Sequence, residues 1–304
     1  MTSSEIAVPA SSAAQAAKAQ FRRDRWFRFA LCFGPSFAYL LAFMVVPYLV
    51  IMLFSVWQVD GYAIVHDFTF GNYARIAENS LYWSTVLKSL QIALIVTVAA
   101  NLVGYPLAFF LVFVASRHRQ LLYFLIIIPL FTSFLLRAFI WKTILGRSGV
   151  VNTALQNLGL IEEPIALFLY NQFSVCLTLT YIFIPFITLP VYTALEKIPK
   201  ELIEASLDLG ATPWLTFRRV LLPLSIPGIV AGSIFTFALS FGDFVTPTLL
   251  GGPSGIMISN IIIGQFGAAF DWPFGSALAI VVLLVALATI IVASRLERRN
   301  DIGG

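Results

Sequence analysis

A chain of 304 residues with 59% hydrophobic, 14% aromatic and only 11% charged side chains, and a mean hydropathy of +0.90, has too little polar surface for a water-soluble globule of that size. It reads as an all-α integral membrane protein. The net charge of +4 comes from basic residues beside apolar segments rather than on an aromatic-studded face, which argues against nucleic acid and for a role in setting membrane orientation.

Residues 1–26 are rich in Ala and Ser at their start and read as a disordered cytoplasmic tail, with a frayed helix as the alternative. The first apolar run begins only after Arg22, Arg23, Arg25 and Arg28, is too long for the core of a secretory signal and lacks a small-residue cleavage site. Six spans are expected within a domain of residues 27–296, over 29–57, 85–115, 121–145, 173–195, 224–250 and 276–294. At about 1.5 Å per residue the first exceeds a hydrocarbon core of roughly 30 Å, so it must tilt, bend near Pro35 or Pro47, or emerge. Asn101, Gly104, Tyr105 and Pro106 in the second span, and Tyr181 and Pro185 in the fourth, mark candidate helix breaks.

Of the segments between the spans, 60–83 holds a turn signal at Gly71-Asn72-Tyr73, and 146–171 carries Gly149, Asn152 and Gly159-Leu160. In 251–275 the apolar stretch Ile256 to Ile263 is too short to cross, which predicts an interfacial or re-entrant helix. The tail 297–304 closes the chain. Placing the N-terminus inside puts fourteen of the nineteen Lys and Arg residues in the cytoplasm, so both termini and segment 196–223 are expected there.

That inner segment has helix punctuation of its own. Pro199 suits a helix start, and Glu201 and Glu204 favour its positive end. Gly210 suits a left-handed C-terminal cap, Thr212-Pro213 restarts a helix, Arg218 and Arg219 fall toward its far end and Pro223 closes it. The spacing is Glu204-Ala205-Ser206, three residues, Gly210, nine residues, Val220, one residue, Leu222-Pro223. This resembles the EAA loop of ABC importer membrane subunits: Glu-Ala-Ala, three residues, Gly, nine residues, Ile, one residue, Leu-Pro. Ser206 and Val220 are its two departures. A surface hairpin under lipid headgroups is the plainer alternative.

Within the spans the pointed residue is Asp243, an acid in an apolar segment. Ser233, Thr236, Ser240, Asp243 and Pro247 recur at helical spacing, with Phe237, Phe241 and Phe244 alongside. A polar stripe edged by aromatic rings suits a cationic substrate path. Helix packing by small residues, with Asp243 hydrogen-bonded or paired with Arg137, remains the structural alternative. Arg137 and Lys142 could instead snorkel toward the outer surface. Cys32 and Cys176 have no paired spacing, His66 and His118 are isolated, and no Gly-x-x-x-x-Gly-Lys-Ser/Thr phosphate loop occurs. The chain is therefore not expected to be an enzyme by itself, nor to hold a metal.

The resemblance extends beyond the loop. Six spans with the loop between the fourth and fifth are similar to the type I ABC importer permease fold. Phe241-Gly-Asp-Phe-Val, Leu249-Leu-Gly-Gly and Asp271-Trp-Pro-Phe-Gly look like tracts of the spermidine/putrescine-type subgroup. Membership implies a multi-pass protein of the bacterial cytoplasmic membrane, in contact with membrane lipid, forming half of a translocation path. Its partners would be a second permease, as a heterodimer, two ATP-binding subunits and an external solute-binding protein. ATP and Mg would sit on those ATPase subunits, with no cofactor in this chain. The resemblance maps ATPase docking to Glu204, Ala205, Ser206 and Gly210, with Leu207 and Leu209 as apolar contacts. An importer for iron, sulfate or an amino-acid derivative would share the machinery, and a stand-alone secondary transporter or channel is the rival from another class.

Overall fold

The computed structural model describes residues 10–61, 63–115, 118–165 and 168–302. Two units divide the chain after Phe54. Most of the first is α1 (Ala10–Ser55), which includes Pro35 and Pro47. Its helical backbone begins well inside the segment whose composition predicts a disordered tail; only residues 1–9 of that expectation lie outside the described residues.

The second unit opens with a hairpin, β1 (Gln58–Asp60) and β2 (Ala63–Val65), turned at Gly61. Gly71-Asn72-Tyr73 begins a short helix, α2 (Gly71–Glu78), rather than a simple turn. Asn72 is buried there because its amide donates to the carbonyls of Ser55 and Trp57, at 3.0 and 2.7 Å. The long α3 (Ser80–Phe113) starts where the Asn79 side chain accepts from the Leu81 amide. Next come α4 (Arg119–Ile127), a 3-10 turn over Ile128–Phe131, α5 (Phe134–Leu145) and α6 (Val150–Asn157). α7 (Gln172–Glu196) is opened by a reciprocal Asn171/Ser174 capping box.

Beyond it stand α8 (Lys200–Asp208), α9 (Pro213–Thr216), a π-helical turn over Phe217–Leu221 and α10 (Leu222–Phe241). Pro223 therefore does not close the loop helix. The wide turn, with the Leu222 amide donating to the Phe217 carbonyl, delivers Pro223 to the first turn of α10, where a proline lacking its N–H is tolerated. A second π turn (Pro247–Gly251), α11 (Ile258–Phe266) and α12 (Trp272–Ile302) complete the described chain.

Among the described residues five helices are long and apolar enough to cross a membrane: Leu31–Ser55, Ser80–Phe113, Gln172–Glu196, Pro213–Phe241 and Trp272–Arg295. A sixth crossing requires counting the pair Arg119–Phe131 and Phe134–Asn157, bent by 96°, as one broken span. The apolar run expected over 121–145 is thus not a straight helix, because Pro129 and the 3-10 turn interrupt its ladder.

The core lies where α7 packs against α3 and α10. Ser225, Gly228, Gly232, Thr236 and Ser240 fall one turn apart on α10 and are all buried, forming a stripe of small residues. A Cβ added at Gly228 would stand 2.7 Å from the Ala194 Cβ and the Pro190 oxygen, and one at Gly232 would stand 3.0 Å from the Phe186 oxygen and the Ile187 Cα. From the other side, a Cβ at Gly104 of α3 would meet Ile187 Cγ2 at 2.9 Å. Gly232→Leu is therefore expected to cost about 1–3 kcal/mol through overpacking and to lower the thermal midpoint of the purified protein. Gly264→Ala, in α11 with nothing within 4 Å, should leave the midpoint level or slightly raised. Equal midpoints for Gly232→Leu and the native chain would remove this close approach as the basis of the packing.

Candidate functional site

The segment between α7 and α10 forms a hairpin of two helices with a defined joint. Gly210 has φ +80°, a left-handed value that glycine adopts without steric cost. Around it the Ala211 amide donates to the Ser206 carbonyl (3.1 Å) and the Gly210 amide to the Leu207 carbonyl (2.9 Å), the two bonds of a Schellman cap. Thr212 then accepts from the Leu215 amide, and Pro213 takes the first helical position. Ser206 and Thr216 share a hydrogen bond of 3.0 Å between their hydroxyls, tying α8 to the second arm. The serine that departs from the Glu-Ala-Ala pattern thus has a structural use.

The joint presents apolar side chains outward. Leu209 is 89% exposed and Trp214 69%. Leu202 and Leu207 are also exposed, among the charged and likewise exposed Glu201, Glu204, Asp208, Arg218 and Arg219. Exposed apolar groups inside a charged rim mark a surface built to be covered. Ala205 and Gly210 are exposed beside them, and Ser206 is half-buried. Behind this surface the Trp214 ring stacks on Phe217 at 5.4 Å, and Phe217 meets Tyr105 edge-on at 5.9 Å. The Tyr105 hydroxyl reaches the Ser225 hydroxyl at 3.1 Å. A continuous set of contacts therefore runs from the exposed tip to α3 and to the base of α10.

At the other end of α10 the helix stops at Phe241 and resumes at Val245. The segment 224–250 is thus not one continuous helix, and the expected face carrying Ser233 through Pro247 is broken at Gly242–Phe244. Asp243, 8% exposed, is the cap of the second piece: its carboxylate accepts from the Val245 amide (3.3 Å) and the Thr246 amide (3.0 Å). Two bonds from orphan amides at the start of the second piece offset part of the cost of burying the carboxylate. The Arg137 partnership is not formed. Among the described residues the ion pairs are Arg75–Asp271 and Arg119–Glu196, whereas Arg137 is 9% exposed, lies 5.9 Å from the Phe134 ring and leaves Nε and Nη1 without a partner.

The remaining stripe residues are mostly packed. Thr236 and Ser240 are fully buried, and Ser240 donates to the Thr236 carbonyl at 2.6 Å. Phe237 and Phe241 stack at 5.7 Å inside a cluster with Ala93, Val282 and Val285. Ser233 is half-buried and accepts from the Asn101 amide at 2.9 Å. Phe244 alone among the eight is exposed.

Two further residues belong to these places. Asn260 of α11 donates to the Phe244 carbonyl (2.9 Å) and the Thr248 hydroxyl (2.7 Å), so the short helix after the break staples it. An asparagine within an otherwise apolar stretch was its visible signal. Trp214 is the other, marked by a bulky aromatic next to a helix restart in a charged segment.

Membrane-length helices around a small-residue core, with an exposed hairpin at one end of α10 and a capped break at the other, define a multi-pass membrane transport subunit. Residues 100–301 match the family described as binding-protein-dependent transport system inner membrane component, and the chain belongs to that family. It is accordingly a multi-pass inner-membrane transport component rather than an enzyme.

The chain is 37% identical to the spermidine/putrescine transport system permease protein PotB of Haemophilus influenzae, over 83% of this chain and 88% of that protein. It is 38% identical to PotB of Escherichia coli K12, over 86% and 94%. Among solved structures, a bacterial ABC transporter involved in the import of alginate superposes with a TM-score of 0.71 at 20% identity, over 93% of this chain and 99% of that one. The MetNI methionine ABC transporter superposes with 0.55 at 19% identity, over 72% and 95%. At those identities the structural likeness establishes the fold.

Asp243→Ala removes both acceptors of the cap and is expected to cost at least about 1 kcal/mol, read as a lowered thermal midpoint, whereas Asp243→Asn keeps an acceptor and should stay close to native. A native midpoint for Asp243→Ala would discard the capping role.

Proposed function

We propose that the chain is one of two permease subunits of a polyamine importer of the spermidine and putrescine class, working with a second, different permease, two ATPase subunits and a solute-binding protein on the outer side. The observation that carries the cargo class is the identity of 37–38% to PotB over more than four-fifths of both chains. In this reading both termini and the α8–α9 hairpin are cytoplasmic, as the distribution of Lys and Arg supports.

The hairpin is the surface that the ATPase covers. Leu209, Leu207 and Trp214 enter an apolar pocket of that subunit, Glu204 and Ala205 contact its rim, and Gly210 with Ser206 holds the joint rigid. ATP and Mg are bound and turned over on the ATPase partners. Their closure pushes the hairpin, and the Trp214–Phe217–Tyr105 contacts pass the displacement to α3 and α10 as rigid bodies. At the far end the break at Gly242–Phe244 borders the path. Phe244 offers its ring to an ammonium group, and the Asp243 carboxylate supplies negative charge from behind it. Ser233, Thr236, Phe237, Ser240 and Phe241 shape the wall by packing.

Three measurements test this reading. Leu209→Asp should strip the ATPase subunits from the purified complex and abolish uptake; co-purification at the native level would end the docking assignment. In proteoliposomes with the binding protein, spermidine or putrescine should stimulate ATP hydrolysis while sulfate and ferric iron do not, and stimulation by another solute alone would reassign the cargo. Asp243→Asn, which retains the cap, should lower polyamine uptake about tenfold with assembly intact, in keeping with the loss of one charge interaction in a partly desolvated site. Native uptake by that variant would leave Asp243 a cap only.

A further inference from the structure

A cavity of about 680 Å³ lies where α5 ends and the chain turns into α6, with residues from the stretch leading to α7 forming its other wall. Its size is that of a small-ligand site. Phe139, Leu145, Ile165 and Leu169 make an apolar interior, while Lys142 and Arg147 bring two positive charges to it and Ser148 a hydroxyl. Among the described residues no carboxylate lines it and neither cation takes part in an ion pair. The Lys142 ammonium lies 5.8 Å from the centroid of the Tyr170 ring, which also lines the cavity.

The apolar wall does not end at the cavity. Phe139 is 55% exposed, and one turn back along α5 Leu135 and Leu136 are 57% and 52% exposed, so an uncovered apolar strip leads from the cavity down the helix. The occupant that matches this surface has an anionic head for Lys142 and Arg147 and a hydrocarbon tail for the strip. A soluble anion would leave the strip uncovered, and an acidic protein loop would not follow a helix into the hydrocarbon.

We propose that this cavity binds the phosphate headgroup of an anionic phospholipid, with an acyl chain laid along Phe139, Leu135 and Leu136. Basic residues at a membrane surface attract anionic headgroups with a free energy that grows with each Lys or Arg, and apolar stems beside them let the charges reach the headgroup level. The lipid would hold the end of α5 against Ile165, Leu169 and Tyr170, and nothing in this assignment depends on the cargo or on ATPase docking.

The test uses the assembled transporter, delipidated in detergent and titrated with phosphatidylglycerol or phosphatidylcholine while bound lipid is counted by native mass spectrometry. Phosphatidylglycerol should be retained in preference to phosphatidylcholine. The double variant Lys142→Gln/Arg147→Gln should bind it about tenfold or more weakly, with an unchanged thermal midpoint in lipid-free detergent. Lys142→Arg in place of Lys142→Gln should restore most of the affinity, and Phe139→Ser should weaken the lipid without affecting glycerol phosphate. Equal binding of both lipids, or native affinity in the double variant, would overturn the proposal. So would competition by inorganic phosphate as effective as that by the lipid. If the double variant lost the solute-binding protein while keeping phosphatidylglycerol, the cavity would be a protein contact and the lipid assignment would be rejected.

Discussion

Everything in the larger unit depends on how closely α3 and α10 approach α7. Ile187 is fully buried between Gly104 on one side and Gly232 on the other, and neither position has room for a Cβ without displacing it. In a bilayer, lipid tails are as apolar as the helix surfaces, so burial gives little net drive for helices to associate. Short-range packing and interhelical hydrogen bonds must supply it. Glycines give α10 that short range on α7. The bonds Asn101 to Ser233 and Tyr105 to Ser225 then fix α10 against α3 at two heights. Because the stripe of small residues faces inward, the larger Phe235 and Leu239 of α10 are left exposed, which is where a neighbouring subunit or lipid must cover them.

A second constraint is that backbone groups freed inside the bilayer need partners. The break at Gly242–Phe244 meets it locally: the Asp243 carboxylate takes two amides of the following piece, Asn260 takes the Phe244 carbonyl, and the Ser259 hydroxyl donates to the Phe241 carbonyl at 3.2 Å. α11 is placed for this by its own ties, since the Ile258 amide donates to the Ser89 hydroxyl of α3 at 2.8 Å. The short apolar stretch after the fifth span is therefore what allows a broken helix to exist at that depth.

The parts legible in the sequence are those governed by local chemistry. Gly210, Thr212 and Pro213 act through their own backbone and side chains, so the hairpin's joint could be read from three residues, as could the non-crossing character of Ile256 to Ile263. The single face drawn through Asp243 presumes an unbroken helix; Gly242 and Asp243 are themselves a local stop and start signal, but the tie that completes the break comes from Asn260, seventeen residues later. The burial of Thr236 and Ser240 was likewise invisible: a small hydroxyl residue on a helix suits either a wet path or a tight contact, and only the position of α7 separates them. The bend of the third apolar run falls at Pro129 and the Thr132-Ser133 pair, marks that a straight apolar helix would also tolerate, so its angle could not be read from them.

The two ends of α10 differ in kind, and the difference matters for the proposed cycle. The hairpin end is a rigid lever, since its joint is capped on both sides and its aromatic contacts are continuous with the core. The opposite end is an interruption held by a handful of hydrogen bonds around Asp243 and Asn260. A displacement delivered at the rigid end cannot be absorbed along the glycine-packed middle of α10, where close packing resists gradual deformation. In the proposed cycle it would emerge either as rotation of α3, α7 and α10 together or as a rearrangement at the break, where the chain is held by hydrogen bonds rather than by close packing. Such an element would convert a push on the exposed Leu209 and Trp214 into a change at the break without any step of chemistry in the chain itself.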